Sequence, residues 1–157
     1  MKKYELLEDD TITINGGNIK LYRIKACIQL KLRDKTVNKG DLGGYIQCED
    51  NLSHDGNAWI YDNALVYGFA MIYHNAQVFG NAKVFGNVVV YDNAKVFGRS
   101  QVYGRSQVYG RSQVYGKSRV HGNAKVFGRS QVYDSEVYGN MRVYGDTRIY
   151  GRVSKET

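Results

Sequence analysis

The sequence predicts an all-β protein, a solenoid of short strands that follow one another along the chain. Three observations predict it: a six-residue repeat from residue 57 onward, alternation of side-chain type within each repeat, and turn-forming residues between repeats. The chain has 157 residues, 18 glycines and no proline. That length is enough for one such domain with a small additional element.

The repeat is regular enough to predict which side chains face inward. The segment NAKVFG at residues 81–86 is a representative unit. An aliphatic residue recurs at every sixth position from Ile60 to Val132, and a small residue, usually alanine or serine, precedes it by two. Because side chains alternate between the two sides of a strand, both residues point inward and form a thin apolar core. Glycine or aspartate, followed by asparagine, arginine or lysine, then suits a tight corner.

Over residues 57–153 these units resemble the hexapeptide-repeat family of left-handed parallel β-helices. The resemblance implies that three units form one triangular coil of about eighteen residues, with successive coils ~4.8 Å apart along the axis. The three-sided shape and the left-handed sense are implied by the resemblance, since periodicity alone predicts only a solenoid. The alternative is a two-sided coil of about twelve residues.

The sequence departs from that family in the residue after the aliphatic one, which is aromatic in almost every unit. On a three-sided coil these rings would form outward ladders. The ladders are Tyr61, Phe79, Phe97, Tyr115 and Tyr133; Tyr67, Phe85, Tyr103 and His121; and Tyr73, Tyr91, Tyr109 and Phe127. Stacked rings stabilise neighbouring strands, so we expect a mainly structural role, with ligand recognition as a second use.

Residues 1–56 lack the repeat and are predicted to form an N-terminal β cap. A strand, a turn and an alternating strand within residues 11–28 indicate a hairpin. The solenoid is predicted to span residues 57–157, with an irregular terminal coil from residue 134, where the spacing shortens to five. We expect the last coil to be open, and an open coil predicts a homodimer through the C-terminal coil.

The residue types also predict what the protein does not do. No apolar run approaches the ~20 residues of a membrane helix, and acids at residues 5–10 interrupt any signal-peptide core. Two cysteines without a CxxC motif favour a reducing, cytoplasmic setting. The three histidines, His54, His74 and His121, have no partners at catalytic or metal-ligand spacing. We therefore expect no enzyme activity, no catalytic residue, no metal and no cofactor.

The charge is divided along the chain. Residues 1–92 carry ten basic and eleven acidic residues, a net of −1, whereas residues 93–157 carry twelve and four, a net of +8. A block of one sign predicts an anionic partner, and cations interleaved with rings are typical of single-stranded nucleic-acid binders. The candidate nucleic-acid-binding residues are Lys95, Arg99, Arg105, Arg111, Lys117, Arg119, Lys125, Arg129, Tyr103, Tyr109 and Tyr115.

The sequence thus predicts a non-enzymatic binding protein that uses a basic, aromatic solenoid face to bind RNA, single-stranded DNA or a nucleoprotein complex. Residues 21–26, 40–46 and 51–58 resemble the leader of hexapeptide-repeat proteins common in phage and prophage genomes. This resemblance implies an inhibitor of host defence, of the anti-CRISPR type, in the cytoplasm of a bacterial host. Two alternatives stay open: an acyltransferase, the best-known activity of hexapeptide-repeat proteins, and a structural component of a virion or its assembly.

Overall fold

The computed structural model describes residues 2–151 and shows an all-β architecture. Twenty-one strands, β1 to β21, and two short 3₁₀ helices, Asn15–Gly17 and Glu49–Asn51, are present in these residues. None of the helices in this part of the chain is long and apolar enough to cross a membrane.

The cap contains the first five strands. Their bounds are β1 Tyr4–Ile14, β2 Ile19–Ala26, β3 Leu30–Lys31, β4 Thr36–Val37 and β5 Leu42–Ile46. Strands β1 and β2 form an antiparallel hairpin, as predicted, and β3 and β4 form a smaller one. Strand β5 pairs antiparallel with β2 on one side and parallel with β7, Leu65–Val66, on the other. Cap and solenoid therefore share one continuous sheet.

The remaining strands form three parallel faces. Face 1 contains β7, β10 Lys83–Val84, β13 Gln101–Val102, β16 Arg119–Val120 and β19 Glu136–Val137. Face 2 contains β8 Met71–Ile72, β11 Val89–Val90, β14 Gln107–Val108, β17 Lys125–Val126 and β20 Arg142–Val143. Face 3 contains β6 Trp59–Ile60, β9 Gln77–Val78, β12 Lys95–Val96, β15 Gln113–Tyr115, β18 Gln131–Tyr133 and β21 Arg148–Tyr150.

Strand pairing confirms the three-sided coil. Lys83 on face 1 pairs with Gln101, and Lys95 on face 3 pairs with Gln113, so each strand meets the one eighteen residues later. The two-sided alternative of about twelve residues is wrong, because it would pair each strand with the second one along the chain. The left-handed sense implied by the resemblance stays a prediction. We call the corners A, between faces 3 and 1, B, between faces 1 and 2, and C, between faces 2 and 3.

The core is one layer thick and follows the repeat. The aliphatic residues from Ile60 to Val132 are fully buried, and so are the small residues that precede them. Several of these small residues are serines, whose hydroxyl groups need a partner inside the coil. Ser100 Oγ donates to the Phe97 carbonyl oxygen at 2.8 Å, and Ser112 Oγ does the same with Tyr109. Serine therefore replaces alanine without leaving an unsatisfied polar group.

The corners require a positive φ angle at the residue after the ring. Gly104 has φ of 76°, and a Cβ there would lie 2.8 Å from the Gly122 nitrogen in the next coil. Asp92 occupies the equivalent position with φ of 59°, and its carboxylate accepts a hydrogen bond from the Gly110 N–H at 3.1 Å. Glycine avoids the steric cost of this conformation, whereas aspartate offsets it with a bond to the next coil.

The predicted irregularity at residue 134 lies at corner A. Before it, strands pair at eighteen residues, but Arg119 pairs with Glu136, seventeen residues later. Asp134 has φ of 49°, and its carboxylate accepts the Lys117 N–H at 2.8 Å. The corner is therefore closed with one residue fewer. In the following coil Met141 takes the small-residue position and is buried.

Polar residues of the cap close the first coil. The side chain of Lys3 is buried, and its Nζ donates to the carbonyl oxygens of Ala58, at 2.7 Å, and Gly56. The Tyr4 hydroxyl donates to the Leu52 carbonyl oxygen at 2.6 Å. Asn51 is also buried, and its amide bonds backbone groups on both sides. These bonds satisfy carbonyl groups that an uncapped coil would leave to water.

Candidate nucleic-acid interface

The predicted binding residues are distributed around the whole coil. Each ring belongs to a different ladder, with Tyr103 on face 1, Tyr109 on face 2 and Tyr115 on face 3. The cations are Lys95 on face 3, Arg119 on face 1, Lys125 on face 2, Arg99 and Lys117 at corner A, Arg105 at corner B, and Arg111 and Arg129 at corner C. The fold therefore distributes over three faces the cations and rings that lie in one segment of the sequence.

Four of these cations lie on face 2 and its two corners. Lys125 lies on β17, and Arg142 on β20 pairs with it in register. Arg105 borders this face at corner B, and Arg111 and Arg129 border it at corner C. We call these five residues the face 2 cations. Arg142 was absent from the prediction, although counting one coil onward from Lys125, allowing for the shortened corner, would have found it.

The face 2 cations have no ionic partner among residues 2–151. None of them forms a salt bridge with a residue in this range. The four arginines are exposed, and Lys125 is half-buried. Like charges on neighbouring strands repel each other, at a cost that a bound anion would remove. This surface is therefore suited to a polyanion.

Lys95 differs from that group because it is already paired. Its ammonium group forms a salt bridge with Asp34, in the loop between β3 and β4, and this bond lowers the pKa of the Asp34 carboxyl group. The side chain of Gln77 on the preceding strand donates to the same aspartate at 3.2 Å. The β3–β4 hairpin thus covers part of face 3 and neutralises Lys95.

The predicted ring ladders are confirmed, and their geometry limits what the rings can bind. The ring centroid of Tyr109 lies 4.9 Å from those of both Tyr91 and Phe127, with nearly parallel planes. Tyr103 is likewise stacked between two neighbours, and Tyr115 is stacked on one side and meets a tilted ring on the other. Both π-faces of each ring are occupied. A ligand can meet only the ring edges and hydroxyl groups.

Tyr144 at the end of the face 2 ladder has a different environment. It stacks on Phe127 at 5.4 Å, and within residues 2–151 no second ring covers its other face. The residue is 58% exposed, and it lies two residues after Arg142. An aromatic ring with one free face beside a cation can stack a nucleotide base. Sequence reasoning missed it because the ladder was followed only to Phe127.

Each histidine is bonded to a carboxylate that sequence spacing did not reveal. His54 Nε2 lies 2.6 Å from Glu49, and its ring stacks on Tyr4, which makes it part of the cap. His121 Nε2 lies 2.7 Å from Glu136 inside the face 1 ladder. His74 Nδ1 lies 3.2 Å from Asp92, one coil later at corner C. The coil period could have identified this last pair. Among residues 2–151, no group of three His, Cys, Asp or Glu residues could hold a metal ion.

The repeat is also found in a known family. Residues 76–92 match the family model described as YdcK beta solenoid repeat. The match and the stacked parallel sheets both support a β-solenoid built from six-residue repeats. The match covers slightly less than one coil, so it supports the repeat and carries no activity. No curated protein matches the chain.

Proposed function

We propose that the protein is a non-enzymatic binding protein that holds RNA or single-stranded DNA, free or within a nucleoprotein complex, on face 2. One observation carries the proposal: five cations lie on this face and its corners without an ionic partner in residues 2–151. The cations contact phosphates, and Tyr144 stacks a base at the end of the face. The ladder rings hold the coils together.

A single strand suits this surface better than a duplex. Unstacked bases of a single strand can meet the free face of Tyr144, whereas bases inside a duplex are stacked on each other. Arg111 and Arg129 at corner C are one coil apart, and so are Lys125 and Arg142 on the strands, so a nucleic-acid strand that runs along the axis meets two pairs of cations, each ~4.8 Å apart.

The test is fluorescence anisotropy of labelled single-stranded RNA, single-stranded DNA and duplex DNA across a salt series. The variant replaces Arg105, Arg111 and Arg129 with asparagine, which the chain itself uses at corners B and C in Asn87, Asn93 and Asn123. Removing three phosphate contacts should lower the slope of log K against log salt by about 2, at roughly 0.7 per contact for a single strand.

The matched control replaces Arg99 and Lys117 at corner A with asparagine, the residue of Asn63 and Asn81. We expect the control to bind with an unchanged slope. If the slope falls equally in the face 2 variant and in the corner A control, face 2 is not the binding site, although the protein still binds nucleic acid. Absence of binding by all three ligands at low salt would overturn the proposed function, and trimerisation without such affinity would favour the virion component.

The leader resemblance adds a biological context to this function. A phage-encoded inhibitor of host defence, of the anti-CRISPR type, would place face 2 on the guide RNA or on an RNA-binding surface of an effector complex. The same asparagine variant tests this context, since it should lose inhibition of effector cleavage in a reconstituted reaction while the corner A control retains it.

The acyltransferase alternative has one supporting contact, the bond between His74 and Asp92. This pair lies beside an open groove lined by Met71, Tyr73 and Val89, and a histidine held by a carboxylate is a common general base. The discriminating measurement is calorimetric titration with acetyl-CoA. Our proposal predicts no saturable binding by the wild type, whereas the alternative predicts binding, and acyl transfer that is lost in His74→Ala.

A further inference from the structure

Face 2 changes character along the axis, because its first coils are apolar. Phe69 occupies the corner B position, where the later coils have Asn87, Arg105 and Asn123. It is 79% exposed, and a large apolar side chain in this position gains nothing from the core of its own coil. Such exposure in a soluble fold marks an interaction site when further apolar side chains adjoin it.

Those adjoining side chains are present on the strands of face 2. Met71 is 47% exposed at an outward position, and Val89 follows it one coil later; the same position is polar in the coils after Val89. Two clefts of about 940 and 460 Å³ meet at these two residues. Phe69 and Ile19 line the larger cleft, and Tyr73 lines the smaller. We call this surface the apolar cleft.

No part of the cap covers the apolar cleft in the way that the β3–β4 hairpin covers face 3. There, Lys35 lies over the Tyr61 ring at 3.8 Å and Asp34 pairs with Lys95. On face 2 the cap supplies one side of the cleft, through Ile19 and residues 47–56. The apolar side chains between these walls face solvent.

The charge around the apolar cleft is opposite to that of the face 2 cations. Asp50 lines the larger cleft and Asp55 the smaller, and neither lining includes a lysine or an arginine. Carboxylates disfavour a nucleic-acid backbone and favour a cationic group next to the apolar one. The two halves of face 2 therefore suit different ligands.

The dimensions of the cleft favour a short segment over a second copy of the chain. Its apolar part spans two neighbouring strands, roughly 10 Å including both coils, whereas a stable dimer needs ~800 Å² from each partner. If two copies met at this cleft in the same orientation, their face 2 cations would also lie close together and repel each other. A peptide segment needs only the cleft itself.

We propose that the apolar cleft docks a short segment of a protein partner, with one or two bulky apolar side chains between Phe69, Met71 and Val89 and a lysine or arginine beside Asp50 or Asp55. The protein then has two independent binding surfaces on one face, an apolar one for a protein segment and a basic one for a polyanion. This inference stands whether or not the face 2 cations bind nucleic acid.

The experiment selects binders from a random peptide library displayed on phage, with the wild-type protein as bait. The counter-selection uses Phe69→Asn with Met71→Gln, residues that the repeat itself uses at these positions in Asn87 and Gln107, so the fold is retained. We expect enriched peptides with adjacent apolar and basic residues. Their affinity, measured by fluorescence polarisation, should fall at least tenfold in the double variant.

Two controls make the result specific. The variant of Arg105, Arg111 and Arg129 should bind the peptide within twofold of wild type, and bound peptide should slow alkylation of the Cys48 thiol, which lines the larger cleft. The proposal is overturned if no peptide prefers the wild type or if the preferred peptides are acidic. It is also overturned if the wild type is a dimer that Phe69→Asn with Met71→Gln dissociates, because the occupant would then be a second copy.

Discussion

The first and last coils are built from the same unit and end in different ways. At the N-terminal end, Lys3, Tyr4 and Asn51 cover the coil and bond its backbone, and the aliphatic residues beneath them are fully buried. In the last described coil Ile149 is only partly buried and Tyr150 is 79% exposed. The comparison shows that the repeat propagates a core but does not terminate one.

The two ends also differ in the direction of their backbone hydrogen bonds. At corners B and C, the N–H group of one coil donates to the carbonyl oxygen of the next, as from Asn123 to Gly139 and from Arg129 to Gly145, both at 2.8 Å. The last coil therefore directs its corner N–H groups toward the C-terminal end. A two-fold dimer through this end would bring donors of both copies together. The predicted homodimer through the C-terminal coil stays a prediction, and it requires side chains or the strand edges for its contacts.

The largest expected effect is the difference in stability between two variants that place a charge in the core, one in the middle of the solenoid and one in its last described coil. Val108→Asp buries a carboxylate among apolar side chains and serines whose hydroxyl groups already donate to backbone carbonyls, which should cost more than ~4 kcal/mol and unfold the chain. Ile149→Asp lies at the partly open end, so a cost of about 1 kcal/mol is expected. Urea denaturation followed by circular dichroism measures both. Equal losses would mean that the last coil is as closed as the middle.

The second effect is a pH dependence of the free energy of unfolding, which arises from Lys3 at the capped end. Burial lowers the pKa of Lys3 to about 8 from an ordinary 10.5. Between these values the unfolded chain holds more protons than the folded one, so the free energy of unfolding rises with pH. From about pH 7.5 to 9.5 the rise should be about 2 kcal/mol. Lys3→Met, which keeps the buried stem, should abolish it, and an equal rise in that variant would contradict the assignment.

The smallest effect is the difference in stability between removing a ring from the middle of one ladder and removing the ring at its end. Tyr109 stacks on two rings, whereas Tyr144 stacks on one. At ~0.5 to 1.5 kcal/mol for each stacked pair, Tyr109→Ala should lose about 2 kcal/mol and Tyr144→Ala about half of that. Thermal and urea denaturation of the two variants test the ratio. A larger loss at Tyr144 would show that the last coil depends on its ring more than the middle does.

Much of the fold could be predicted because the repeat is strictly local. Alternation within six residues fixes which side chains point inward, and one residue missing near position 134 marks the irregular corner. The ladders followed from the same register once three units were assigned to each coil. Hairpin β1–β2 was also predicted, although β1 begins at Tyr4, well before the predicted strand at residue 11.

The candidate sites depended on contacts between distant segments. Lys95 and Lys125 occupy the same position in two identical NAKVFG units, but the aperiodic hairpin β3–β4 places Asp34 against Lys95 alone. Phe69 departs from the asparagine, arginine or lysine of the other corners from Asn63 to Arg129, but only the position of the cap beside face 2 makes it and Met71 part of the apolar cleft.

The sequence by itself determined the unit, its inward side chains and the corner residues, since steric and hydrophobic preferences act within a few residues. Only the tertiary structure decided which cations share a face, which one is neutralised and which rings keep a free face. The physical reason is the coil period: residues six apart point in directions about a third of a turn apart, while residues eighteen apart lie side by side.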